Sequence, residues 1–252
     1  MDLQLKGKTC LVSGASIGIG HGIARALAAE GARVAITARR VNLLEELAET
    51  IVAEGGERPV IIPGDIATDE GPGNVAAAAL KAFGHVDVMV NNVGGSRPMA
   101  WDAPEELWEE GYRLNFLAAR RMTTPLIHGM IENRFGRIIS ITGSTEARGV
   151  NAATSSKAAI TAWSKGLSKD LGKYGITSNC IPPGRINSEQ ILNKLHPDPV
   201  AREAYAKANV PAGYFGEPED LAVLVAFLAS PRARYINGEV IHVDGGMRMF
   251  TF

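Results

Sequence analysis

Short apolar runs alternate with amphipathic segments along nearly the whole of this 252-residue chain, and that alternation most narrows what it can fold into. Thr9-Cys10-Leu11-Val12 is a strand-length apolar run closed by Ser13-Gly14, and from Ile17 to Glu30 apolar residues recur at helical spacing until Gly31 stops them. The pattern then repeats. Strands are expected at Arg33 to Ala38, Val60 to Ile62, Val86 to Val90, Arg137 to Thr142, Ile176 to Ile181 and Val240 to Val243. Helices are expected at Val41 to Glu54, Gly73 to Phe83, from Pro104, from Asn115 to Asn133, from about Thr154 to Tyr174, and at Pro218 to Ala229. Strands that read as continuous apolar runs are buried on both faces, which specifies an α/β fold: a doubly wound parallel sheet with helices on both faces. No repeat or biased linker interrupts the series, so one domain over residues 1–252 is expected. Residues 187–216 stand apart, richer in polar residues and proline (Pro197, Pro199, Pro211), and are expected to form a substrate lid at the carboxyl edge of the sheet.

Composition excludes several function classes. Lys plus Arg is 26 against 27 for Asp plus Glu, a net charge of −1, so no global basic field exists to hold a nucleic acid or an anionic membrane. The N-terminus lacks a basic segment followed by an apolar one, and no window approaches the roughly 20 apolar residues of a membrane span. A cytoplasmic protein is expected. Cys10 and Cys180 lie in apolar runs and read as structural thiols, and the five histidines show no pair at metal-ligand spacing, so no metal site is expected.

Between the first strand and the first helix lies Ser13-Gly14-Ala15-Ser16-Ile17-Gly18-Ile19-Gly20. Glycines there allow a sharp turn, close backbone approach to a diphosphate, and free N–H groups at a positive helix terminus. The spacing is Gly-x-x-x-Gly-x-Gly, not the dinucleotide fingerprint Gly-x-Gly-x-x-Gly, so alone it also fits a structural turn. The later motifs supply context: Asp65-Ile66, Asn91-Asn92-Val93-Gly94, Asn115, Lys157, Pro183-Gly184-Arg185-Ile186-Asn187-Ser188 and Asp244-Gly245-Gly246. In this order they resemble the short-chain dehydrogenase/reductase family, from about Leu5 to Gly246. The resemblance implies a Rossmann-type sheet that binds a nicotinamide dinucleotide. It implies that Gly14, Ser16, Ile17, Gly18 and Ile19 hold the diphosphate and ribose, Asp65 and Ile66 the adenine, and Asn91 and Gly94 the adenosine side of the cleft. It further assigns Lys157 to the nicotinamide ribose, and Ile186 and Ser188 to the carboxamide, with Pro183 and Gly184 counted in the cofactor site. A homotetramer is implied as well, with the last strand and the apolar tail from Met247 in its contacts.

Charge argues for the phosphorylated cofactor. No acid follows the second strand to grip a ribose 2′-hydroxyl and repel a 2′-phosphate; Arg39 and Arg40 stand there instead. Arginine suits phosphate, so NADP(H) is favoured over NAD(H), with Arg39 the stronger candidate. The competing reading is a solvated basic pair neutralised by Glu45 and Glu46.

The family's usual catalytic set is an Asn, a Ser, a Tyr and a Lys, with the Tyr four residues before the Lys. Asn115 and Lys157 match, but the tyrosine position holds Ala153 and the serine position Gly143, with Ser144 just after it. General acid assistance is worth roughly a hundred- to ten-thousandfold, so a reductase without that tyrosine is slow unless another group delivers the proton. Candidates are Ser144, Glu146, and Lys157 acting through Ser144 or a water; Glu146 also reads as a loop residue paired with Arg148. The expected activity is NADP(H)-dependent interconversion of a ketone and a secondary alcohol with altered proton delivery. The alternatives are a non-redox lyase, dehydratase or isomerase on the same scaffold, or a nucleotide-binding protein without turnover. Met99, Trp101 and Trp108 are expected along one wall of the substrate cleft, with Arg97 and Arg185 as candidate partners of a substrate carboxylate or phosphate.

Overall fold

The computed structural model describes residues 1–143, 146–147, 149–189 and 191–249. Six strands, β1 (Thr9–Ser13), β2 (Arg33–Ala38), β3 (Val60–Pro63), β4 (Val88–Asn91), β5 (Gly136–Ile141) and β6 (Ile176–Ile181), form one parallel sheet in the order β3-β2-β1-β4-β5-β6. The order reverses between β1 and β4, the crevice where ligands of doubly wound sheets bind. The helices are α1 (Gly18–Ala29), α2 (Val41–Ala53), α3 (Gly71–Phe83), α4 (Glu105–Tyr112), α5 (Ala118–Thr123), α6 (Ile127–Glu132), α7 (Ala152–Leu171), α8 (Pro199–Asn209) and α9 (Pro218–Ala229).

Alternate residues of each strand feed opposite faces. Cys10, Val12, Val34 and Ile36 join one core with Ile23 and Leu27 of α1, Leu44 and Leu47 of α2, and Leu221 and Val225 of α9. Leu11, Ala35 and Met89 point the other way, onto Val75 of α3, Met122 of α5 and Met130 of α6. Burial on both sides is why these strands read as unbroken apolar runs. Cys10 and Cys180 are buried free thiols.

Three expectations change. Val240 to Val243 forms only isolated bridges, Cys180 with Val240 and Pro183 with Val243. The ladder is interrupted because Pro182 and Pro183 have no N–H to donate. The helix expected from Asn115 to Asn133 is divided into a π-turn at Arg113–Leu117, α5, a 3-10 turn at Thr124–Leu126 and α6. Pro125 lies in the 3-10 turn, where its missing N–H falls. Helix α7 begins two residues before Thr154, because the Asn151 side chain caps it by accepting from the Ala153 N–H.

Residues 187–216 leave and rejoin the body at one point. Asn187 N donates to Gly216 O at 2.8 Å and Gly216 N to Arg185 O at 2.9 Å. Between them lie a π-turn (Ile191–Leu195) and α8, with a small core of Ile191, Ala206, Val210 and Phe215 against which Tyr205 and Met247 pack. No helix among the described residues is long and apolar enough to cross a membrane.

Candidate active site

The carboxyl ends of β4, β5 and β6 open into a cavity of about 530 Å³. Lys157 reaches it from the buried face of α7, which carries Ala153, Lys157, Ile160 and Ser164 at helical spacing. Its ammonium donates to the carbonyls of Ile141 at 2.8 Å and Val93 at 3.2 Å, so one side chain ties α7 to the ends of both β5 and β4. Burial pushes its pKa down from the usual 10.5 to about 8.

Asn115 is fully buried in the π-turn. Its Oδ1 accepts from Gly95 N at 3.0 Å, and its Nδ2 donates to Gly111 O at 3.0 Å and Gly95 O at 3.4 Å. A widened turn of this kind reorients one side chain without ending the helix. Gly94 completes the constellation: a Cβ there would lie 2.6 Å from Lys157 Nζ and 2.8 Å from Asn115 Oδ1. Asn151 fixes the same loop from the other side, accepting from Arg97 N at 3.0 Å and donating to Ser96 Oγ at 2.9 Å.

The glycine turn borders this cavity. Gly14 and Gly18 have φ of +65° and +61°, and the N-terminus of α1 has neither a side-chain cap nor an acid in its first turn. Ser188 lies over the turn, 3.2 Å from where a Cβ of Gly18 would be. Ile19, Gly94, Pro183, Gly184, Ile186 and Ser188 line the cavity together with Lys157. Gly14, Ser16, Ile17 and Gly18 belong to the adjoining turn. Asp65, exposed, and Ile66, buried, follow β3 at the outer end of the same edge. Asn91 points elsewhere: it is buried and its Nδ2 donates to Thr123 Oγ1 at 2.9 Å. Asn92 is on the wall instead, bonded to the carbonyls of Ser13 and Gly14.

Of the two arginines after β2, Arg40 forks onto Glu189, with both contacts at 3.1 Å. Glu45 is paired with Arg58, so neutralisation of the pair by Glu45 is replaced by this longer-range fork. Arg39 is exposed and has no hydrogen bond or ion pair among the described residues.

Glu146 lines the cavity, and its Oε1 accepts from Met249 N at 2.8 Å. Ser144 and Arg148 lie outside the described residues. Ala153 lines the cavity, as does Gly143, whose Cβ position has no atom within 4 Å. The expected aromatic wall is not there: Trp101 is 83 % exposed, and Ser96 and Pro98 border the cavity instead. Arg97 is taken by Glu110 at 3.0 Å. Sequence reasoning missed the final segment. His242, Asp244, Met247 and Arg248 all line the cavity, brought there by the bridge of Val243 to Pro183, and the motif Asp244-Gly245-Gly246 was the signal that could have found them.

A Rossmann-type α/β protein with a buried lysine at the carboxyl edge of its sheet is the class this geometry defines. The chain belongs to the short-chain dehydrogenase/reductase family: the family model described as enoyl-(acyl carrier protein) reductase matches residues 14–248. It is 35% identical over 251 residues to the 3-oxoacyl-acyl-carrier-protein reductase FabG of Vibrio cholerae, covering 98% of this chain and 100% of that protein. It is 36% identical over 250 residues to nodulation protein G of Rhizobium sp. strain N33, covering 98% and 99%. Among solved structures it is similar to L-sorbose reductase of Gluconobacter frateurii, complexed with NADPH and L-sorbose, at a TM-score of 0.92 and 32% identity over 99% of this chain and 100% of that one.

Proposed function

We propose that the protein is an NADP(H)-dependent oxidoreductase interconverting a ketone and a secondary alcohol, with proton delivery altered by the absence of a tyrosine at position 153. The observation that carries this reading is Lys157, buried and tied to two strand ends in a cavity it shares with Ile186 and Ser188. The residues fit a nicotinamide dinucleotide. Gly14 and Gly20 leave room that a Cβ would fill against Val93 and the Gly14 carbonyl, and the uncapped N–H groups of α1 suit a diphosphate. Arg39 and Arg40 supply cationic groups for a 2′-phosphate, and the similar L-sorbose reductase was solved with NADPH. Residues 187–216 act as a lid, with Ser188 over the turn.

When held by the glycine turn, Lys157, Ile186 and Ser188, a nicotinamide dinucleotide would supply hydride-transfer chemistry at the substrate carbonyl. The chain's own work is to orient the carbonyl and to move a proton to or from its oxygen. With Ala153 one turn before it, Lys157 is the cation best placed to move that proton, because an ammonium whose pKa is about 8 gives up a proton near neutral pH and regains it from solvent. Glu146 and Ser144 are the other candidates. The lack of a hydroxyl at positions 143 and 153 favours the second reading, a non-redox enzyme or a nucleotide-binding protein without turnover. The homotetramer belongs to the same proposal, supported by the groove that Ala158 and Ala162 of α7 form with Cys180 and Val240, where the last segment bridges β6.

The test is to mix protein with NADPH and a panel of ketones, following cofactor absorbance and product mass. Matched loss of absorbance and formation of alcohol is expected, abolished in K157M and raised about tenfold or more in A153Y, which restores a phenol. Substrate conversion at constant absorbance supports the non-redox reading, and binding without either change the non-catalytic one. Turnover and pH profile unaltered in E146Q would remove Glu146 from the proton path.

A further inference from the structure

Several arginines of this protein meet an acid. Arg25, Arg40, Arg58, Arg97 and Arg121 all pair with carboxylates at 3.2 Å or less. Among the described residues, the two that line the cavity do not. Arg185 has no carboxylate within 4.0 Å among the described residues; its Nε is buried without an acceptor and its guanidinium lies 5.9 Å from the Tyr205 ring centroid. Arg248 directs its guanidinium to His242 Nδ1 at 3.2 Å, a ring nitrogen in place of a carboxylate.

Neither acid nearby forms an ion pair with Arg185 or Arg248 among the described residues, and both accept from backbone N–H groups. Asp244 accepts from Gly246 N at 2.9 Å and Arg248 N at 3.1 Å, and Glu146 from Met249 N at 2.8 Å. Both arginines line the cavity from neighbouring segments: Gly184 N donates to Val243 O at 2.9 Å, and Tyr205 and Met247 share the small core of residues 187–216. Of the two arginines that the sequence offered for a substrate anion, Arg97 is neutralised by Glu110 and Arg185 is not.

We propose that Arg185 and Arg248 form an anion subsite at the end of the cavity beneath residues 187–216, so that the substrate is a carbonyl compound bearing a carboxylate or phosphate away from the reacting carbon. Arginine forks match both oxyanions, and a half-buried guanidinium without a directly paired carboxylate gains most from one. This rests on reading the cavity as a substrate site and extends that reading to substrate class.

Calorimetry with NADP+ present, where a ketone is not reduced, tests it without turnover. The probes are matched pairs: 4-oxopentanoate with its methyl ester, and dihydroxyacetone phosphate with dihydroxyacetone. At least one anion is expected to bind about tenfold or more tightly than its neutral partner, the scale of a charge-assisted hydrogen bond; the pair that shows it identifies the oxyanion. The preference should vanish in R185Q and in R248Q, and survive in part in R185K, which keeps the charge. NADP+ binding at the wild-type level in each variant shows an intact fold and nucleotide site. Equal binding of anion and neutral partner in both pairs, or a preference that persists in both glutamine variants, overturns the subsite. Absence of NADP+ binding in the wild type would instead overturn the functional reading beneath it.

Discussion

Lys157 concentrates the chemistry of this chain in one amine. Its burial disfavours the charged form, and the carbonyls of Ile141 and Val93 offset only part of that cost. The folded pKa is about 8 and the unfolded one 10.5, so between those values the unfolded chain holds a proton that the folded chain does not. Stability from this group therefore rises as pH climbs from 8 towards 10.5, by up to about 3 kcal/mol over the window. Urea unfolding of wild type and K157M at pH 7.5 and 9.5 should show the wild type gaining on the variant at the higher pH. A difference independent of pH would mean the amine is solvated. The identity of this lysine was readable in the sequence, but its surroundings were not: nothing in Ser156-Lys157-Ala158 announces that two strand ends close over the ammonium. Arg137 makes the same point at the opposite end of the sheet. It opens the strand expected from Arg137 to Thr142, and it is buried, donating to the carbonyls of Gly136, Gly175 and Ser230.

At the scale of elements, the glycine turn shows how close packing replaces side chains. Gly20 sits in α1 with the Gly14 carbonyl and the Asn92 amide where its Cβ would be. Gly20→Ala should force α1 away from the turn, costing about 1–3 kcal/mol of stability and weakening NADPH binding; urea unfolding and a fluorescence titration with NADPH measure the two effects. Wild-type values in both would show that α1 has slack. Strand and helix periods made most elements legible, and β2, β6 and α9 fall where the sequence pattern puts them. Elements set by long-range partners were harder to read. The last strand fails because two prolines lie opposite it, and the π-turn around Asn115 leaves the helical period of its residues almost unaltered. The approach of His242 and Arg248 to the cavity follows from the bridge at Pro183, a long-range contact that the motif Asp244-Gly245-Gly246 marks without placing the side chains around it.

Across the whole molecule, the carboxyl edge is closed by contacts between segments far apart in the chain. Arg40 and Glu189 join the end of β2 to the start of residues 187–216 across 149 positions. If Arg40 faces a 2′-phosphate, Glu189 competes for the same guanidinium and repels the same anion. E189Q should then shift the ratio of NADPH to NADH affinity towards NADPH by about two- to tenfold, with the gain shrinking at high salt, as expected of an exposed pair. An unchanged ratio would leave the 2′-phosphate to Arg39. The small residues at positions 143 and 153 have a consequence among molecules. Proteins of this family share a nucleotide site, so a compound aimed at that site would meet many of them. On the proposed reading that position 153 corresponds to the family's tyrosine, a ligand branched to press against Ala153 and Gly143, whose Cβ position has no atom within 4 Å among the described residues, is expected to bind this chain and to collide with the phenol ring of relatives that carry it.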